Sequence, residues 1–250
     1  MCLAGCGESG RGLRAYRDPE IALPAAKTGI KPGSDRAPTG SLCIINVRRD
    51  GSIWTRRGDT PTTMEELPRL IAEADASKGC LVLRCDKNAR WKHVAPVLVM
   101  LARAKIPKLW FCVETEGMAF LDYEFPLPSD QPDLRTELWV RIKTMGKGDV
   151  ADTPWLALDQ FRVKDWGQLE DRLRRYASIP GAKDELVVLE ADQDAFLGWV
   201  IQAIDCLRGF GLHEINFLDV EKIWSPGPPE ELEQPPVEDI PIEPEPKSVK

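Results

Sequence analysis

Apolar residues recur along this chain with two different periods, and the switches between them mark its elements. Leu81 to Cys85 and Leu109 to Val113 are short apolar runs without alternation, as strands covered on both faces require. Between them Val94, Val97, Leu98 and Leu101 fall at i, i+3, i+4 and i+7, one stripe of an amphipathic helix. Lys105-Ile106-Pro107 ends that helix, and the order strand, helix, strand predicts a βαβ unit with a right-handed crossover. The unit returns at a constant shift of 106 residues, Leu83 to Leu189. Asp192, Ala195, Val200, Leu207 and Phe217 repeat Asp86, Ala89, Val94, Leu101 and Phe111, and Val200, Ala203, Ile204 and Leu207 rebuild the stripe. A repeat of this kind predicts two copies of one module.

The flanking patterns extend each copy. Leu42 to Val47 reads as a strand, Asp50-Gly51 as a hairpin turn and Ser52 to Thr55 as the return. Thr63 to Glu66 has capping-box spacing before a helix running to about Ala76, with Pro68 predicting a late start or a bend. In the second copy Leu138 to Lys143 and Trp155 to Phe161 read as strands around a loop from Met145 to Thr153. A helix over Trp166 to Ala177, with Leu169, Leu173 and Tyr176 on one face, precedes a strand at Leu186 to Glu190. The fold class expected is α/β (α+β): two tandem ββαβαβ two-layer modules over 41–118 and 136–222, each with two helices on one face of a mixed sheet. Residues 1–40 and 119–135 lack periodicity and are expected to be a flexible segment and a linker, each with an apolar island (Ile21 to Pro24, Phe125 to Pro128). The Pro/Glu-rich tail 223–250 is expected to be disordered.

Charge sharpens this picture. The net charge is −7, and Ser225 to Lys250 alone holds seven acids against two lysines. The rest is close to neutral with no basic stripe, which argues against a nucleic-acid partner. The longest apolar run, Val94 to Ala102, is too short to span a bilayer.

Candidate chemistry is sparse. The intervals of Cys80, Cys85, His93 and Cys112 match no standard zinc framework, and Cys43, Cys85, Cys112 and Cys206 read as small apolar residues. Neither His93 nor His213 lies near a nucleophile signature, and no phosphate-binding or dinucleotide loop is present. No catalytic, metal or cofactor residue is therefore assigned. The repeated acids Asp86 and Asp192 close a strand before a helix. They read either as a ligand contact or, more simply, as carboxylates satisfying turn N–H groups beside a helix N-terminus. Ala95, Val99, Ala102 and Ile106 form a second apolar stripe, turned by about 100° from the first. A helix apolar on two faces is covered on both, so this stripe predicts either a partner interface or cover from the rest of the chain. The matching Ile201, Asp205, Arg208 and Leu212 are half charged and are expected to face water.

Each copy resembles the periplasmic domain of the ExbD/TolR biopolymer-transport family. The first matches through Ile21 to Pro24, Ile45-Asn46-Val47-Arg48-Arg49-Asp50-Gly51-Ser52-Ile53, the Leu67/Leu70 helix and Val82 to Asp86. The second matches through Pro126-Leu127-Pro128, Val187 to Asp192 and Leu207-Arg208-Gly209-Phe210-Gly211-Leu212. The resemblance implies a non-enzymatic subunit of a proton-driven envelope system that meets ExbB/TolQ- or TonB-like proteins, a cell-wall polymer or a second copy of itself. Family members carry an N-terminal membrane helix with an essential aspartate; this sequence has no such segment, so no residue inherits that role. Leu3-Ala4-Gly5-Cys6 resembles a lipobox, which implies lipidation of Cys6 and a location on the periplasmic side of the inner membrane. With Met1 as the true start the expected location is cytoplasmic. A cysteine-dependent redox protein or other enzyme is the alternative reading.

Overall fold

A computed structural model describes residues 18–39, 42–55, 60–76, 80–125, 137–144 and 153–218. The lipobox-like Cys6 and the tail beyond 218 lie outside these. The first sheet has the order β2-β1-β3-β4-β5, with β1 (Leu42–Val47), β3 (Cys80–Cys85) and β4 (Lys108–Glu114) parallel. The short β2 (Ile53–Thr55) and β5 (Met118–Glu124) pair antiparallel at its edges. The second sheet, β10-β9-β6-β7-β8, keeps the parallel core in β6 (Glu137–Thr144), β9 (Leu186–Ala191) and β10 (Ile215–Phe217). There β7 (Pro154–Leu158) and β8 (Phe161–Val163) form an antiparallel meander. The shared register is direct: Ile45 faces Leu83 in one sheet and Val140 faces Leu189 in the other. The α/β class with two mixed sheets is thus observed, with one strand more per module than the pattern suggested.

Among the described residues four α-helices cover the inner sheet faces: α1 (Leu67–Ala76), α2 (Trp91–Arg103), α3 (Trp166–Ala177) and α4 (Leu197–Gly209). The capping box closes as its spacing predicts, Thr63 N–H donating to Glu66 Oε2 at 3.0 Å and Glu66 N–H to Thr63 Oγ1 at 3.3 Å. Helix α1 starts late, at Leu67, which leaves Pro68 in the first turn where its missing N–H costs nothing. Helix α3 has its own cap, Asp165 Oδ1 accepting from Gln168 N–H at 2.9 Å. Val94, Val97, Leu98 and Leu101 are fully buried, as are Val200, Ala203, Ile204 and Leu207.

Three sequence expectations are corrected. Residues 119–124 are not linker: Ala119, Leu121 and Tyr123 point into the inner core, while Phe120 lies on the outer face, so β5 belongs to the first sheet. Residues 18–39 are not a free leader. They form a strap that meets the inner core at Ala26 and covers the outer face of the first sheet, where Leu23, Ile30 and Ala37 pack on Ile44, Val82, Trp110 and Phe120. Ile30 and Phe120 exchange backbone hydrogen bonds at 2.7 and 2.9 Å, and Ala26 N–H donates to Glu114 O at 3.0 Å. A Cβ on Gly29 would meet that of Ala119 at 2.8 Å, so only glycine lets the strap lie this close. The expected strand at Trp155 to Phe161 is in fact two strands, β7 and β8, broken at Asp159 with φ +52°. Continuous apolar packing joins both modules, so their inner faces share one core.

Candidate functional site: the seam between the modules

The turns carrying the repeated acids meet. In each, the N–H of the alanine three residues on donates to the aspartate carbonyl, Ala89 to Asp86 and Ala195 to Asp192, both at 2.9 Å. Trp91 N–H then donates to Ala195 O at 2.8 Å and Leu197 N–H to Ala89 O at 2.9 Å. One step on, Lys92 N–H donates to Gln193 O and Gly198 N–H to Lys87 O, both at 2.9 Å. Exchanging each residue for its counterpart 106 positions away turns each bond into its partner, so the seam is a local two-fold. Arg90 and Phe196, themselves counterparts, sit at the centre as a β-bridge, with the guanidinium 3.9 Å from the ring centroid.

This geometry answers a question of helix physics. The first N–H groups of an α-helix have no partner within it, and a Ser, Thr, Asp or Asn side chain normally supplies one. Helices α2 and α4 begin after Arg90 and Phe196, neither of which caps with its side chain. Carbonyls of the opposite turn take those donors instead, so each helix is capped by the other module. Two absent caps would cost about 0.5–2 kcal/mol each.

Behind the ladder an aromatic chain crosses the seam: Trp91 to Phe217 at 5.0 Å, Phe217 to Tyr123 at 4.9 Å and Tyr123 to Phe125 at 5.0 Å between centroids. Polar ties flank it. Arg208 on α4 donates to Asp122 on β5, which also pairs with Lys108 at 3.1 Å. Burial pushes the Asp122 carboxyl up, but Arg208 and Lys108 more than offset this and hold it below the usual carboxylate range. Asp205, 5% exposed, accepts from Lys27 N–H at 2.6 Å, Thr28 N–H at 2.7 Å and the Thr28 hydroxyl at 2.6 Å. That carboxylate fastens the first module's strap to the second module's helix.

Beside the seam lies an open groove of about 770 Å³ between the strap, the β4–β5 turn and the first turns of α4. Trp199 and Gln202 line one wall, Lys27 and Lys31 the strap, and Lys87 and Asn88 the floor. Lys27 and Lys31 are exposed and paired with Glu170 and Glu116, so the groove carries little net charge, and Phe196 and Trp199, edge to face at 4.9 Å between centroids, give it an aromatic wall.

The structure places each expected site residue. Asp86 is buried and acts structurally, Oδ1 taking Asn88 N–H and Oδ2 taking Ala22 N–H of the strap, both at 2.8 Å. Asp192 is exposed. Ala95, Ala102 and Ile106 are buried in the core shared by the modules and Val99 is half-buried against it, so this stripe is covered within the chain and is not a free partner surface. Ile201, Asp205 and Leu212 are buried as well, where a water-facing surface was expected. His213 is exposed; His93 is half-buried, and burial lowers its pKa. Cys85, Cys112 and Cys206 are buried thiols whose pKa burial raises, for Cys112 to about 11 and for Cys206 to about 12. Among the described residues no three His, Cys, Asp or Glu side chains converge on a metal-sized site, and no helix is long and apolar enough to cross a membrane. The seam itself was missed, although helix stripes opening after Arg90 and Phe196, with no capping residue at either, were a usable signal.

No family model, curated protein or solved structure matches this chain.

Proposed function

We propose that the chain is a non-enzymatic, ExbD/TolR-like component of a proton-motive-force-driven envelope transport system, with the paired periplasmic-type modules supplied by one polypeptide. The observation that supports this reading is the reciprocal seam. Four backbone hydrogen bonds related by a local two-fold join two copies of one module, the arrangement a homodimer of single modules adopts through an isologous contact. Tandem fusion makes that contact intramolecular and independent of concentration. The groove lined by Phe196 and Trp199 would be the surface such a module offers to a transport partner or a cell-wall polymer. The raised thiol pKa values favour this reading over a cysteine-based redox protein, because the reactive species is the thiolate.

The test is co-expression with the ExbB/TolQ-type channel subunit of the same source, followed by detergent purification. The expected result is a complex holding this chain, in which Trp199→Ala weakens retention while the isolated chain stays monomeric at 28.0 kDa. A chain that never enters the complex, and that carries a fast-reacting low-pKa thiol in a native thiol titration, would overturn the reading in favour of redox chemistry.

A further inference from the structure

The outer faces of the two sheets are built differently. On the first sheet this face is apolar, Ile44, Val82, Trp110, Cys112 and Phe120, and the N-terminal strap covers it. On the second sheet the corresponding face carries Trp139, Arg141 and Lys143 on β6, Trp155 and Ala157 on β7 and Arg162 on β8, beside Leu186, Val188 and Glu190 on β9 and Asn216 on β10; of these Leu186, Val188, Asn216 and Ala157 are buried. Register places Glu190, Arg141, Ala157 and Arg162 in one cross-strand row and Lys143 opposite Trp155 in the next. Arg141 lies over Trp139 at 5.0 Å and Lys143 over Trp155 at 5.6 Å. Both tryptophans are half-buried, and Lys143 and Arg162 are exposed and make no ion pair with a described residue.

Charge on this face is polarised along the strands. At the end where β6 begins, Glu137 accepts from Trp139 Nε1 and Asp159 from Trp139 N–H, so that end is acidic. In the middle Arg141 is neutralised by Glu190 at 2.7 Å. Of the cations without an ion pair to a described residue, Lys143 lies opposite Trp155 in the row nearer the end where β6 finishes, and Arg162 lies one row back, diagonal to Trp155 on the neighbouring strand. Strand β10 runs parallel to β9 and β6, so the chain leaves Phe217, level with Val140 in the register, heading toward the end that carries Lys143. The C-terminal segment from Ser225 to Lys250 holds seven acids and eight prolines. Three strand spacings separate β10 from β7, about 14 Å. Leu218 is helical, and thirteen positions separate Phe217 from Glu230, which span about 20 Å even at the helical rise of about 1.5 Å per residue.

We propose that the acidic, proline-rich tail, from Glu230 to Pro246, docks on the outer face of the second sheet over Trp155, Lys143 and Arg162. It would take there the place the N-terminal strap takes on the first sheet. Proline-rich segments enter aromatic-lined surfaces at little entropic cost because their extended form is already set. Pro241 and Pro244 lie on one face of such a helix, about 9 Å apart, with Glu243 and Glu245 free to meet the two cations.

The experiment uses the full chain with a benzophenone side chain placed at Ile240, irradiated while dilute and mapped by mass spectrometry. Docking predicts cross-links within one chain to β6, β7 or β8. The double variant Lys143→Glu/Arg162→Glu changes only exposed side chains that hold no ion pair with a described residue, so it should stay folded by circular dichroism. It should lower the cross-link yield about fivefold, and high salt should do the same. Cross-links that go to the helices or the strap, that form only between chains, or that ignore the charge reversal would each overturn the proposal.

Discussion

Removing the Asp205 carboxylate should loosen the strap and the seam together. The group is 5% exposed and receives three hydrogen bonds from Lys27 and Thr28, between 2.6 and 2.7 Å long. Hydrogen bonds to a charged acceptor contribute about 1.5–3 kcal/mol each, but they do not add, and Lys27 and Thr28 are exposed enough for water to take over their donors. Asp205→Ala should therefore cost about 2–3 kcal/mol overall. Asp205→Asn keeps an acceptor oxygen for Thr28 but turns its NH₂ toward the Lys27 N–H, and should cost about half as much. Urea unfolding would read the loss as a lower midpoint at unchanged slope. Hydrogen exchange at the Lys27 and Thr28 amides should accelerate in the folded state, before global unfolding. A loss under about 0.5 kcal/mol, the range of an ordinary surface substitution, would refute the clamp. So would unchanged exchange at those two amides.

Local geometry gives two further outcomes. Gly51 has φ +88° and a Cβ there would meet the His93 ring at 2.6 Å, so Gly51→Ala should lose about 2–4 kcal/mol from backbone strain and the displaced ring; thermal unfolding within about 1 °C of wild type would contradict this. Asp122 has a folded pKa below its unfolded value near 3.9, so its contribution is fully present above that pH and is lost as pH falls through the lower folded value. Asp122→Asn should reduce stability at neutral pH and flatten the fall of stability below about pH 4, and an unaltered pH slope would show that the Arg208 tie contributes nothing.

The sequence by itself determined the parts that depend on local period and turn chemistry. The stripes at Val94 to Leu101 and Val200 to Leu207, the capping box at Thr63 and Glu66 and the 106-residue repeat all appear where the pattern put them. These are short-range effects, in which a residue and its neighbours a turn away suffice to choose the conformation. Tertiary structure alone decided what covers what. The stripe of Ala95, Ala102 and Ile106 fits a partner interface or cover within the chain equally well until the shared core is in place, and Asp205 reads as a charge that can sit in water until the strap brings backbone N–H groups to it. The strap carries few apolar residues in any regular period, because it is specified by the sheet it lies on, whereas β5 does carry an alternating row, Ala119, Leu121 and Tyr123, that the linker reading passed over. The seam was hidden for a related reason. A helix that begins without a capping side chain looks incomplete along the chain, and its missing acceptors come from a turn more than 100 residues away.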